Sequence, residues 1–597
     1  MPDFKNPQQE PGAERRLLLV FVLTFVVLII FQPLLKKYMP QAPATPAQNQ
    51  PTPGQAVSPP SAAVTAASAP STAVRANTIS KQASAESDTV IENDLYRITF
   101  TNRGAQVKSW ILKKFDNDEQ NGPLDLVNPL AAPRFGYPLS LWTYDEGLRN
   151  RLNSALYVTS SEGRLSAPAN ITFEYADQDL VVRKSFRFDH TYVVNVETSV
   201  FYKGAELFAP PAWPSGFGDE STPASYAASR VDYHNDASTE RSGYVFFPSY
   251  VTRLPIKSIS SGNTLKGPFE WAGTGDQYFT AIFIPDDPAS AAMVTLRDSM
   301  QVPQKAGFNP VGSNAKEANV ELLGAAVGNP RGPTHERIFV GPKEIAVLDA
   351  VPVPTIKNDS PDLRGIVDFG WWGILARPLF LWLKWTFNHI VHNWGWAIVI
   401  QTFIISVALL PLRITQMKSM LKMQRIQPQI KSIQEKYKKY SLRDPRKAAM
   451  NEEISAVYKK EGVNPAGGCV PTLIQFPFLI AYYRMLGVAL ELRHAHWLWI
   501  RDLSAADWVL PIIMVVSMVV MQRMTPQAGM DPAQQKMMTV MMPLFMGFIF
   551  FKLAAGLNLY YAETNLIGIA QQAVMNRTKL GLEMREILAK RARKKDK

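Results

Sequence analysis

The 597-residue chain has a single cysteine, Cys469, set in an apolar segment, which excludes an intrachain disulfide and a thiolate metal cluster. Charge is missing altogether from Tyr38 to Val74, where Pro, Ala, Gln, Ser and Thr dominate. Such a stretch cannot bury enough apolar surface to fold and reads as a partly extended, disordered tether. No metal or nucleophile constellation stands out either. Ser406 has no His or Lys placed as a recognisable base, and His494 and His496 share a loop without a carboxylate-rich motif, which argues against a hydrolase. The repeated halves and mid-span charge pairs expected of a solute transporter are not seen, although a transporter or channel with an extracytoplasmic binding domain remains the alternative reading.

What the chain does have is base beside grease. The net charge of +12 is concentrated next to apolar runs: Arg413 to Lys460 holds thirteen Lys or Arg against four Asp or Glu, and the tail from Arg577 nine against three. Membrane topology and anionic lipid account for that placement better than nucleic acid does. Leu17 to Phe31, behind Arg15 and Arg16, reads as an uncleaved anchor when continued to Leu35, with cleavage within QAPATPA as the competing reading.

After the tether the texture changes to period-two runs broken by Gly and Pro. Tyr96, Ile98 and Phe100 alternate with Arg97 and Thr99. Phe186 and Phe188 precede Tyr192, Val194 and Val196 around the turn Asp189-His190-Thr191, and Arg337 to Val340 follows the same texture. These runs predict a large antiparallel β sandwich over residues 88–355, with aromatic loops such as Pro210 to Ser225 serving core and turn packing. Residues 1–37 and 38–87 are assigned to anchor and tether. Residues 356–393 are assigned to a linker and an interfacial helix, because Trp371, Trp372, Trp382 and Trp385 accompany Arg377 and Lys384 there.

Trp394 to Arg413, WGWAIVIQTFIISVALLPLR, is apolar enough for a membrane yet is interrupted by Gln401, Thr402, Ser406 and Pro411. At 100° per residue Thr402, Ser406 and Arg413 fall on one face, so such a helix lines something wet, with Pro411 placed between Ser406 and Arg413 to redirect it. Four more apolar segments follow: Pro471–Leu490, Val509–Met524, Met537–Phe551 and Gly556–Val574. Between them, residues 414–462 read as a basic helical hairpin, with Met423, Ile426, Ile430, Ile433 and Tyr437 at helical spacing and Asp444-Pro445 starting its second helix. The two basic regions belong on the cytoplasmic side, and the four spans between them agree with that. The loop Glu491–Trp508, with only Arg493 and Arg501, and the β domain then lie outside.

NPAGGCVPTLIQFPFLIAYY from Asn464, ELRHAHWLWIRDLSAADW with LPIIM, DPAQQKMMTVMMPLF and GLNLYYAETNLIGIAQQ resemble the YidC/Oxa/Alb family of membrane protein insertases. The Gram-negative form fits best, because an anchor and a β domain precede the matching region, roughly Pro378 to Gln572. The resemblance implies a polytopic α-helical membrane protein of six transmembrane helices, with a five-helix insertase core over 394–577 and a basic tail over 578–597. It also implies a periplasmic β supersandwich, a groove open to cytoplasm and lipid, and no catalytic residues or cofactor. Its expected partners are nascent membrane proteins and a Sec translocase. Ribosome contact through the basic hairpin and tail, and anionic lipid, complete the list.

One departure concerns the groove. The family usually carries an arginine where this chain has Ser406, and the nearest cation here is Arg413, about 10 Å further along a helix on a similar face. Arg413 reads as either an anchor or a relocated groove charge. Polar residues Gln401, Thr402, Ser406, Gln475, Thr564 and Asn565 are candidate groove residues with Arg413. Through the resemblance, Thr402, Ser406, Phe476 and Tyr561 are the substrate-facing ones. Methionines crowd Met514 to Met546, where gap-filling is the plainer reading and a soft rim around the link 522–535 for apolar clients is the functional one.

Overall fold

The computed structural model describes residues 80–235, 251–254, 256–303, 317–354, 363–370, 372–437, 439–440, 444–462, 470–524, 537–579, 581–582 and 586. The apolar run Leu17–Phe31, the tether to residue 79, the link 525–536 and most of the basic tail lie outside the described residues.

The β domain begins earlier than residue 88. Lys81 bridges to Ala176 through reciprocal backbone hydrogen bonds of 2.9 Å, which lays residues 80–87 along the domain. Strands β1 (Asp88–Glu92), β2 (Tyr96–Thr101) and β3 (Gln106–Asp116) form an antiparallel meander. In β2 the inward Tyr96, Ile98 and Phe100 are each 0% exposed, so the alternation in the sequence is the alternation of the pleat. Strands β4 (Leu180–Phe188) and β5 (Val193–Tyr202) form a hairpin around Asp189, whose carboxylate accepts the Thr191 N–H (2.7 Å) and hydroxyl (2.6 Å).

Strands β6 (Phe279–Pro285), β7 (Ala292–Pro303), β8 (Glu317–Gly328) and β9 (Thr334–Pro342) complete the frame. A ten-stranded sheet runs through β6-β9-β5-β4, one five-stranded sheet is built on the β7–β8 ribbon, and another on β1 to β3. Phe100 inserts between layers, its ring centroid 4.9 Å from Phe186 and 5.9 Å from Phe188. The Pro210–Ser225 segment also feeds the core. Trp213 is fully buried, stacks on Phe217 and donates its indole N–H to the Gly216 carbonyl at 2.8 Å.

One pairing departs from the expected antiparallel pattern: β1 runs parallel to Gly163–Ser166. The long intervening chain, with its helix Glu146–Ser154, supplies the crossover length that a parallel pair needs. The domain also buries charge. The Lys184 ammonium, fully enclosed, donates to the carbonyls of Ala105 (2.6 Å), Leu139 (2.6 Å) and Gly104 (3.2 Å), and burial lowers it to about 7. Burial and then the nearby Asp276 raise Glu220 to about 8.

The helical part starts with α1 (Gly373–His389), which buries Ala376, Leu379, Phe380 and Leu383 and exposes Ile374, Leu381 and Trp385, the two-faced pattern of a helix lying in an interface. Next come α2 (Trp394–Ala408) and α3 (Leu410–Lys436), bent by 53° at Leu409. The stretch from Trp394 to Arg413 is therefore divided between two helices. Pro411 explains the break: it lacks an N–H for the ladder and its ring crowds the preceding turn, while the first turn of a new helix tolerates it.

Helix α3 runs from the bend into the hairpin, so that hairpin starts before residue 414. Its partner α4 (Arg446–Lys460) packs Ile454, Val457 and Tyr458 against Met423, Ile426 and Ile430, and Glu453 accepts from Lys436 and Tyr437, both at 2.7 Å. Asp444 caps the Arg446 N–H at 2.9 Å, one residue beyond the expected start.

Helices α5 (Val470–Val488), α6 (Val509–Met524), α7 (Met542–Phe550) and α8 (Ala555–Met575) match the four later apolar segments. A π-helical turn at Met537–Met541 precedes α7, so that segment is not one regular helix. Among the described residues no single helix is long and apolar enough to cross a membrane alone, whereas the bent pair α2 and α3 passes together.

Candidate functional site: a polar seam among α2, α5 and α8

The seam rests on a fixed outer end. The Asn393 carboxamide caps α2 by accepting the Trp396 N–H at 3.1 Å, and its amide donates to the His496 carbonyl at 2.9 Å. Trp497 packs directly on Gly395, where a Cβ would sit 2.1 Å from the indole ring, so the outer loop and α2 interlock only because residue 395 has no side chain. That loop also keys onto the β domain. The Arg493 guanidinium donates to the Asp116 carbonyl (2.9 Å) and Asp118 carboxylate (3.0 Å) and lies over the Phe279 ring, while Gln277 donates to the Gly487 carbonyl at 2.8 Å. Lys384 on α1 joins Glu344 (3.0 Å) to Glu491 (3.2 Å).

Two turns into α2, Gln401 and Thr402 are both 0% exposed. Gln401 donates to the Leu379 carbonyl of α1 at 2.9 Å and accepts the Tyr482 hydroxyl of α5, so it ties three helices. The Thr402 hydroxyl donates to the Ile398 carbonyl in its own helix at 2.7 Å. It also comes within hydrogen-bond reach of Glu563 on α8. Tyr482 stacks on Tyr560, centroids 4.2 Å apart, which fixes α5 against α8. Ser406, one turn further along α2, is buried at 6% exposure.

Arg413 lies past the bend, on α3. Its guanidinium turns inward: Nη1 donates to the Gln571 carboxamide at 3.2 Å and lies where a Cβ on Gly568 would approach to 2.7 Å. Tyr560 and Tyr561 are close enough to act on its charge. The absence of a side chain at Gly568 is thus what admits the cation to the surface of α8.

The remaining candidates separate. Thr564 is buried and satisfied within α8, donating to the Tyr560 carbonyl at 2.8 Å. Asn565 points the other way and donates to Ser517 of α6 at 3.3 Å. Tyr561 is half-buried and meets Phe550 edge-on at 5.0 Å. Gln475 and Phe476 lie in α5 by backbone, and their side chains fall outside the described residues. The structure therefore joins Gln401 and Thr402 in one cluster, sets Arg413 toward the other end of α8, and turns Asn565 away from both.

Glu563 is the member that the sequence reading passes over. Its signal is plain in hindsight: one carboxylate inside LNLYYAETNLIG, where each apolar neighbour argues for a reason to keep a charge. Met514 is fully enclosed against Phe550 and Ala562, with Met518 and Met546 partly buried around them, while Met541 and Met542 are exposed. The methionines thus serve packing on one side and offer surface on the other.

Comparison with known proteins covers both halves of the chain. The family model described as the 60Kd inner membrane protein matches residues 386–581, and that of the YidC periplasmic domain matches residues 88–382. Relatives named membrane protein insertase YidC include that of Citrifermentans bemidjiense, 30% identical over 508 residues, 82% of this chain and 85% of the relative. That of Geotalea daltonii is 31% identical over 515 residues, 83% and 87%. A crystal structure of an active YidC insertase with its first transmembrane domain resolved covers 83% of this chain and 95% of that chain, at 18% identity and a TM-score of 0.34.

Proposed function

The chain belongs to the YidC family of membrane protein insertases, proteins of the inner membrane with a periplasmic domain, and from that premise we propose how its own residues insert nascent membrane proteins. Six helices span the bilayer: the N-terminal anchor within residues 1–37, and five in the core 394–577. In the core, α2 continued by the start of α3 makes the first span and α5, α6, α7 with its π turn, and α8 make the others. Both termini, the hairpin and the tail are cytoplasmic, α1 lies in the outer interface, and residues 88–355 form the periplasmic domain. Two independent features support this orientation. The basic regions sit at one end of the spans, and the outer loop that carries Arg493 bonds to the β domain at the other.

The observation that carries the mechanism is the inward turn of Arg413 onto Gly568 and Gln571. An arginine serving only as an anchor would extend toward headgroups. Here it supplies a cation near the cytoplasmic end of α8, replacing the groove charge that Ser406 lacks. A client's polar flank enters the seam lined by Thr402, Ser406, Gln475, Phe476, Tyr561, Thr564 and Arg413, and so crosses a shorter stretch of hydrocarbon. Its apolar segment then partitions sideways into lipid. Gln401 acts as the brace that keeps the wall upright, and Asn565 holds α6 to α8. The basic hairpin and tail meet phosphate, from anionic lipid or ribosomal RNA, and a Sec translocase shares the larger clients.

Reconstitution tests this. Purified protein in liposomes inserts short single- and double-spanning clients, and Arg413→Ala lowers that insertion about tenfold, the factor set by one charge-assisted hydrogen bond. Adding Ser406→Arg to Arg413→Ala restores it. Insertion that Arg413→Ala leaves untouched returns Arg413 to the role of an anchor.

A further inference from the structure

Glu563 is a carboxylate in the middle of α8, eight residues from its outer end and twelve from its inner one. It is half-buried, and its Oε2 is enclosed without a hydrogen-bond partner. Among the described residues its neighbours include the neutral Thr402 hydroxyl and Tyr482. Among the described residues no Lys or Arg forms an ion pair with Glu563. Arg413, the cation of the same seam, bonds further along α8, at Gln571.

A carboxylate inside a membrane helix is costly, and in a folded chain it pairs with a cation, faces a wet cavity or handles a charged passenger. The first use is absent for Glu563, and its Thr402 neighbour puts it on the seam rather than toward lipid. The two charges of the seam therefore stand apart, a cation near the cytoplasmic end and an acid near mid-depth.

We propose, resting on the seam reading above, that Glu563 is a specificity-determining residue that accepts a lysine or arginine carried in the translocated flank of a client. A flank with a positive charge is the kind that a groove holding only an arginine repels. With Glu563 at mid-depth, the client's ammonium or guanidinium donates to its half-buried carboxylate while it is part-way across, and releases when the apolar segment leaves for lipid. No bond is made or broken, and the carboxylate acts as a fixed countercharge during passage.

The test uses full-length protein in liposomes and one single-spanning client in three forms, with a lysine, a serine or an aspartate at the same position of its translocated tail. Wild type inserts the lysine and serine forms to similar extents. Glu563→Gln, which keeps shape and loses charge, lowers the lysine form about tenfold and leaves the serine form unchanged. Glu563→Asp retains insertion of the lysine form. Equal loss of all three forms in Glu563→Gln reduces Glu563 to a structural residue and overturns the inference, as does an unchanged lysine-to-serine ratio. Failure of the seam itself reads differently, as insertion of the serine form that Arg413→Ala does not alter.

Discussion

The β domain and the helical core bury polar groups in opposite ways. Two of the enclosed groups in the β domain are ionisable: Lys184 is held by carbonyls at residues 104, 105 and 139, far from it in the chain, and Glu220 by the Phe217 N–H and the Ser229 hydroxyl. In the core three neutral hydroxyls are satisfied by their own helix: Thr402 by Ile398, Thr564 by Tyr560, Ser517 by Met514. Gln401, which ties α1 and α5 to α2, and Asn558, which donates to the Phe550 carbonyl of α7 at 3.0 Å, bond beyond their own helices. A side chain bonded within its own helix loses nothing when neighbouring helices part. A lysine bonded to three loops and strands loses everything. The domain is built to hold one arrangement, and the core to change its neighbours without stranding polar groups.

Three measurements break or sharpen that contrast. Lys184→Met keeps the stem and removes the donor from three buried carbonyls, so unfolding in denaturant shows the β domain destabilised by about 3 kcal/mol. Per pH unit, a smaller effect comes from Glu220. The folded domain keeps its proton to about 8 while the unfolded chain releases it near the ordinary glutamate value of 4.5. Between those values the folded state binds more protons, so stability falls as pH rises, by up to about 1.4 kcal/mol per pH unit, and Glu220→Gln flattens that slope in a pH series of unfolding curves. Smallest is Thr564→Val in the core, where the hydroxyl served only its own helix. Its cost is about 0.5 kcal/mol or less, and a loss as large as that of Lys184→Met removes the distinction between the two regions.

The parts of this architecture that sequence exposes are those governed by local period. Tyr96, Ile98 and Phe100 face inward because alternate residues of a strand must, and Ile426 and Ile430 meet α4 because helical spacing brings them to one face. Pro411 was visible as an interruption, but whether it bends one helix or divides two depends on what packs beyond it. The parallel pairing of β1 with Gly163–Ser166 joins segments some seventy residues apart, and no local pattern encodes it. In the seam, residue type marked Thr402, Ser406 and Arg413 as candidates. Their partners were illegible: Gly568 admits Arg413 by lacking a side chain, and Glu563 gains meaning only when α8 is laid beside α2.

The bend at Leu409 has a mechanical consequence. Helix α3 is 27 residues long, about 40 Å, and is rooted in the seam at one end while carrying the basic hairpin at the other. A lever of that length turns a change of about five degrees at Leu409 into about 3.5 Å of travel at the hairpin tip. Because Arg413 sits one turn from the fulcrum, a load on the tip and a charge in the seam act on the same pivot. Whatever docks on the hairpin thereby acquires a handle on the half-buried guanidinium against α8.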